Sequence, residues 1–272
     1  MIIIGEKINT SRKAVRPAVE NKDAAAVREL ALRQVEAGAN YIDVNCGTFP
    51  TKEPELLEWL VNTVQEATST PLCMDSPNPQ ALKAALEAYR GTKPIINSVT
   101  AEKERFAAVF PLVAEYQTSI IALCMDDSGM PETSDDRVRI AEKLITDMTG
   151  EGVPIGDIYI DPMVRPVSTG SQYGVVALDT IRRVMVEFPG VHTTCGLSNV
   201  SFGLPARKII NQSFLISAIA AGLDSAILDP LDKRIMSFVY ASELLQGKDD
   251  FCMNYLSAFR EGRLDAEDKP GK

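Results

Sequence analysis

NYIDVN, residues 40–45, decides how this chain reads: a β-branched and aromatic run that stops on an aspartate and an asparagine, followed by a stretch of helical spacing. Such a unit is a strand that ends in polar groups and hands the chain to a helix. Seven further runs repeat it. IIIGE (2–6) stands upstream, and LCMD (72–75), PIINS (94–98), SIIALCM (119–125), DIYIDP (157–162), HTTCGLSN (192–199) and SAILD (225–229) follow. Between them the spacing predicts helices over 24–37, 54–66, 79–88, 101–116, 135–149, 176–188 and 205–221, with 234–245 closing the series. Asp23 is placed to cap the first, and Gly38, Gly150 and Gly222 to end helices. Strand then helix, eight times over, predicts an α/β fold with a parallel (β/α)8 TIM barrel.

Barrel enzymes carry their chemistry at the C-terminal ends of the strands. The residues stationed there are Glu6, Asp43, Asn45, Asp75, Asn97, Asp161, Asn199 and Asp229, a ring of acceptors and amides almost without bases. A carboxylate in such a ring can accept two parallel N–H bonds from a 2-amino-pyrimidinone edge, which pterins present. An asparagine beside a reacting nitrogen can donate to its lone pair or accept from its N–H by turning its head group.

The remaining composition mostly excludes. The 272 residues suit one domain, a barrel with an extra helix at 251–259, spanning 1–259; the polar tail 260–272 is expected to be disordered. A net charge of -9 argues against nucleic acid and anionic membranes. Five cysteines without a framework fit a reducing cytoplasm, and the apolar stretch 214–228 is interrupted by Asp224, so no membrane segment is expected. His192 is the single histidine and begins a strand, near the inert face, which disfavours a His-based metal site and a Ser-His-Asp triad; no protein-bound metal is expected. Asp43, Asp75 and Asp161 leave a carboxylate-pair hydrolase open. Two long loops, 8–22 with Arg12, Lys13 and Arg16 and 163–174, read as lids or partner contacts, although the basic one reads equally as a solvated turn.

In order along nearly the whole chain, IIIGEKIN, GANYIDVNCG, LCMDS, PIINS, YIDPM and GLSNVSFGLPARKIINQSF resemble the pterin-binding methyltransferases that move a methyl group between tetrahydrofolate and a corrinoid protein. Any one of these tags is weak, and the set in sequence at strand ends is specific. The likeness is to the acetogen-type methyltetrahydrofolate:corrinoid methyltransferases, and among them to those that pass methyl groups from a corrinoid protein to tetrahydrofolate in anaerobic glycine-betaine demethylation. The resemblance implies a dihydropteroate synthase-like barrel, tetrahydrofolate or 5-methyltetrahydrofolate as substrate, cobalamin delivered on a partner corrinoid protein, and a homodimer. It implies that Asp75, Asn97 and Asp161 bond the pterin ring, with Asp161 on the donor edge, and that Asn199 reaches N5. Gly196 and Ser198 would shape that loop, Asp43, Glu6 and Asn45 would line the pocket floor, and Arg207 would meet the folate's glutamate tail. Glu6 and Asp43 read equally as a buried strand-end network, and Arg207 as a solvated helix-start arginine.

Within the family, the expected product is 5-methyltetrahydrofolate; transfer from methyltetrahydrofolate to a corrinoid iron–sulfur protein in acetyl-CoA synthesis is the alternative. A dihydropteroate synthase is disfavoured because the last strand reads SAILDPLD, without the basic end that pyrophosphate needs. A corrinoid-binding DxHxxG loop is absent from the sequence, so cobalt is expected to arrive on another protein.

Overall fold

The pattern folds into a barrel. The computed structural model describes residues 1–265. In chain order they form β1 (Ile2–Asn9), α1 (Arg16–Glu20), α2 (Ala24–Glu36), β2 (Tyr41–Asn45), α3 (Glu53–Gln65), β3 (Leu72–Asp75), α4 (Pro79–Ala88), β4 (Ile95–Thr100) and α5 (Lys103–Tyr116). Then come β5 (Ser119–Leu123), α6 (Ser134–Gly150), β6 (Ile158–Asp161), α7 (Tyr173–Glu187), β7 (His192–Thr193), α8 (Arg207–Ala221), β8 (Ser225–Leu228), α9 (Lys233–Leu245) and α10 (Met253–Arg260). The strands pair in parallel in the order β7-β6-β5-β4-β3-β2-β1-β8. The backbones at the seam between β7 and β8 meet in one bridge, Gly196 to Ile227, where the Ile227 N–H donates to the Cys195 carbonyl at 2.9 Å, and Asp224 adds side-chain bonds to His192 and the Thr193 N–H.

Local chemistry explains the elements. Apolar residues at Leu56, Leu57, Leu60, Val61 and Val64 give α3 one buried stripe. Asn78 caps α4 through its side chain, with Pro79 at the first helical position, where its missing N–H costs nothing. Gly222, at φ +115°, ends α8 in a left-handed turn. Between strands and helices, Ile42, Leu57, Leu60, Leu82, Ile96 and Ile120 are fully buried, each worth roughly 1.5–3 kcal/mol relative to exposure. Inside the barrel, Ile4, Cys73, Ile95, Ile121 and Tyr159 form a separate plug.

Three expectations change. The seventh run holds only a two-residue strand; after Gly196 the chain turns into a 3-10 helix, Leu197–Ser201, because the Asn199 N–H bonds back to the Gly196 carbonyl at 3.1 Å. The basic loop is shorter than it read, since β1 runs on to Asn9 and α1 occupies part of the rest; Arg12 pairs with Glu6, and Arg16 lies over the Phe49 ring. Ordered chain also continues past α10: Leu264 is buried and the Asp265 N–H donates to Ser237 Oγ at 2.7 Å, while 266–272, the rest of the expected loose tail, lie outside the described residues.

His192 stands at the N-terminal end of the barrel, its ring stacked on Tyr159 and its Nδ1 2.6 Å from Asp224 Oδ2. Cys46, Cys73, Cys124 and Cys195 are buried. Burial, with Glu53 nearby, pushes the Cys46 thiol up to about 12.

One close approach fixes β1 against α2. A methyl at Gly5 would lie 2.5 Å from Gln34 Oε1, and Gln34 has no room to swing because it is fully buried with Oε1 already accepting the Lys7 N–H at 3.0 Å. Gly5→Ala is therefore expected to destabilise the fold by about 1–3 kcal/mol, read as a lowered Tm or urea midpoint; an unchanged midpoint would show that Gln34 has another place to go.

Candidate active site

Strand register assembles the site. Asn45, Asp75 and Asn97 are consecutive register partners on β2, β3 and β4, and Asp161 sits on β6 beside Leu123 of β5. Because side chains alternate along a strand, Asp43 shares the face of Asn45 one step deeper, opposite Cys73. The ring read from the sequence is thus two layers: an upper rim of Asn45, Asp75, Asn97 and Asp161, and Asp43 sealed beneath it at 2 % exposure. Asp43 belongs to a buried network and does not face the mouth.

Hydrogen bonds orient the rim. Asn45 Nδ2 donates to Asp75 Oδ2 at 2.9 Å, while Asn45 Oδ1 accepts the Gly47 N–H. Asp161 Oδ1 accepts the Met163 N–H at 2.7 Å, with Met163 in the left-handed region at φ +61°. Burial dominates the electrostatics: it raises the Asp75 carboxyl to about 6 against the Asn45 bond, and raises Asp161 to about 7 against the Met163 N–H and the Arg137 charge. Asp43 is pushed well above the carboxylate range by its burial and then by Asp75. One oxygen of Asp43 has no hydrogen-bond partner. Around neutrality Asp161 therefore stands between its neutral and ionised forms, and a donor-rich ligand favours the ionised one.

Asn199 comes from beyond β7, the strand paired with the β6 that carries Asp161. It is exposed on the 3-10 turn, and its amide lies so close over Gly196 that a methyl there would be 3.0 Å from Asn199 Nδ2. Arg207 braces this turn, donating from Nη2 to the Ser198 carbonyl at 2.7 Å and from Nε to Ser201 Oγ at 3.0 Å. Glu6, Ser198 and Arg207, with Arg12, Asn211 and Asp229, line a cavity of about 220 Å³ beside the turn. Burial raises the Glu6 carboxyl while Arg12 pulls it down.

Two arginines were missed in the sequence reading. Arg105 donates from Nη2 to the carbonyls of Ser76 and Ser98 at 3.0 and 2.7 Å, tying the ends of β3 and β4 together. Arg137, fully buried on α6, holds the corner after Asp161. Its signal was present: positions 137, 141, 144 and 148 lie on the buried face of α6, so an arginine had been placed in an apolar stripe.

A sequence profile described as "Pterin binding enzyme" matches residues 5–229. The chain belongs to the pterin-binding enzyme family. It is 39 % identical over 267 residues to the methylcorrinoid:tetrahydrofolate methyltransferase of Eubacterium limosum, covering 97 % of this chain and 98 % of that protein. The methionine synthase of Mycobacterium tuberculosis is 34 % identical over 242 residues, which are 84 % of this chain and 20 % of that longer protein. Among solved structures, the dihydropteroate synthase of Xanthomonas albilineans with 4-aminobenzoic acid superposes with a TM-score of 0.71 at 21 % identity, covering 92 % of this chain and 93 % of that one. The 7,8-dihydropteroate synthase of Vibrio fischeri ES114 gives 0.70 at 16 % identity, covering 91 % and 93 %. At such identities the synthases speak for the fold alone: a pterin-binding barrel with its strand ends at one mouth, as the sequence pattern predicted.

Proposed function

We propose that this pterin-binding enzyme moves a methyl group between a corrinoid protein and N5 of tetrahydrofolate, forming 5-methyltetrahydrofolate. The observation that carries the reading is end-to-end likeness to a methylcorrinoid:tetrahydrofolate methyltransferase in a barrel whose rim gathers Asp75, Asn97 and Asp161. Asp161 accepts the paired N–H donors of the pterin, Asp75 and Asn97 bond the rest of the ring, and the Asn199 amide meets N5 from the turn beyond Gly196. N5 attacks the methyl carbon of methyl-Co(III); the C–Co bond breaks with both electrons left on cobalt as Co(I), and the N5 proton departs. The protein's work is to hold the ring in line and to stabilise N5 through hydrogen bonding. Cobalamin is the partner's cargo, and the chain's one histidine stands at the opposite end of the barrel.

Anaerobic titration with tetrahydrofolate and 5-methyltetrahydrofolate tests the pterin half, and tetrahydrofolate-dependent demethylation of methylcobalamin tests the transfer. Saturable binding near one per chain with folate-dependent Co(I) formation is expected. No binding up to roughly millimolar ligand, weaker than about -4 kcal/mol, would overturn the reading and return the rim to the carboxylate-pair hydrolase.

The same proposal extends to its setting: demethylation of glycine betaine in an anaerobe, in a cytoplasm whose reducing conditions suit four buried free thiols. It includes a homodimer. The α8 segment from Ile209 to Ala221 carries no charged residue, although Ile209 and Ile216 are exposed on its outer face, and the neighbouring α7 exposes Val175 and Val186. A chain of net charge -9 associates with its copy most readily through such an uncharged strip. Ile216→Lys is expected to convert dimer to monomer in sedimentation experiments; a dimer of unchanged strength would move the interface elsewhere.

A further inference from the structure

Arg137 is the bulkiest of the side chains that are fully buried, and it makes no ion pair among the described residues. A guanidinium removed from water needs its donors satisfied and its charge answered. The donors go to backbone: Nη1 to the carbonyls of Pro162 and Met163 at 2.6 and 3.2 Å, Nε and Nη2 to the Pro131 carbonyl at 3.4 and 3.3 Å. Pro162 and Met163 directly follow Asp161, whose carboxylate holds the Met163 N–H from the other side. Carboxylate and guanidinium thus grip one three-residue corner from opposite faces.

We infer that Arg137 is a positioning residue for the pterin site: it fixes the corner that aims the Asp161 carboxylate and supplies the buried countercharge that lets this carboxylate accept the ligand's N–H pair. The groups around the couple leave that role to Arg137. Cys124 at the end of β5 and Cys195 after β7 face Asp161, and burial pushes both thiols upward, so they stay neutral. Arg165 and Glu132 face Arg137 but are bound to each other at 2.6 Å. The Arg137 charge lowers Asp161 against the larger effect of burial.

The inference rests on the reading of Asp161 as the pterin acceptor, and the test separates the two. Tetrahydrofolate is titrated without oxygen from pH 5.5 to 8.5 into the wild-type protein, Arg137→Lys, Arg137→Gln, Asp161→Asn and the double variant Asp161→Asn with Arg137→Gln. For the wild type, affinity is expected to rise with pH through a limb near the Asp161 value of about 7. Arg137→Gln should weaken binding about tenfold at pH 7 and move the limb up by about one pH unit, the usual effect of losing an opposite charge. Arg137→Lys keeps the charge but cannot serve both Pro131 and the corner, so the limb should stay while affinity falls about threefold. In the Asp161→Asn background, Arg137→Gln should add less than about twofold, since residues that act through one another are not additive. An unmoved limb in Arg137→Gln, or full additivity, would reduce Arg137 to a packing role. Should Arg137→Gln fail to fold, Arg137→Lys decides: a shifted limb, or affinity equal to wild type, would overturn the inference. A wild-type protein without affinity for tetrahydrofolate would instead dismiss the functional reading itself.

Discussion

Asp161→Asn is expected to weaken tetrahydrofolate binding by about 2 kcal/mol, roughly 30-fold, in calorimetric titration near pH 8. The carboxylate spends Oδ1 on the Met163 N–H and has acceptor capacity left for a ligand's parallel donors. An asparagine must turn its NH2 either toward the Met163 N–H or toward the ligand, and both choices set donor against donor. The pH dependence follows from the same group. Burial raises Asp161 to about 7, and the ligand favours its ionised form, so wild-type affinity should climb between pH 6 and 8. The limb should be lost in Asp161→Asn. For the ligand-free protein the sign reverses. Between the ordinary carboxylate value, 3.8, and about 7 the folded state holds a proton that the unfolded state has released, so stability contributed by this group falls as pH rises through that window. Asp161→Asn should flatten that part of the Tm–pH curve. Affinity in the variant within twofold of wild type would remove Asp161 from the pterin edge.

Asn199→Ala is expected to slow methyl transfer by about 100-fold, as loss of one preorganised hydrogen bond to a reacting atom commonly does, while leaving tetrahydrofolate affinity within about threefold. The amide stands on the 3-10 turn beyond β7 and packs over Gly196, and it belongs to none of the strands that carry Asp75, Asn97 and Asp161. On the proposed role, its loss removes an interaction that strengthens as N5 changes its bonding, and little that holds the ground state. Single-turnover transfer from methylcobalamin, set beside calorimetry, reads both quantities. If Asn199→Ala lost binding while Asp161→Asn lost only rate, the two assignments would have to be exchanged.

The rim was legible because strands write their geometry into the sequence with a period of two: once a run such as NYIDVN is a strand, Asp43 and Asn45 must share a face and one must lie deeper than the other. What the alternation could not say was which of them meets the mouth, since that depends on strand stagger around the barrel. HTTCGLSN misled for a related reason. Its threonines favour a strand, but Gly196 and the following polar residues offer the backbone a local turn, and β7 stops after Thr193. The positioning arginines were hidden differently. Arg105 and Arg137 sit on helices and act through long side chains on backbone carbonyls at strand ends and corners, contacts that leave no periodic mark on the residues they serve. Arg12 showed the opposite risk, a charge that read as free for a partner and is paired with Glu6.

The seam between β7 and β8 bears on how the molecule moves. Asp75 and Asn97 belong to strands laced to neighbours on both sides, whereas Asn199 hangs from a two-residue strand and a joint of one bridge. Amide exchange should therefore be slowest along β3 and β4 and fastest beside Cys195 and Ile227, where few backbone bonds resist local opening. On the proposed roles the ligand then bridges two mechanical regimes: the ring meets Asp75 and Asn97 on the tightly laced side of the wall, while Asp161, on the strand next to β7, and Asn199 meet it from the side that yields first.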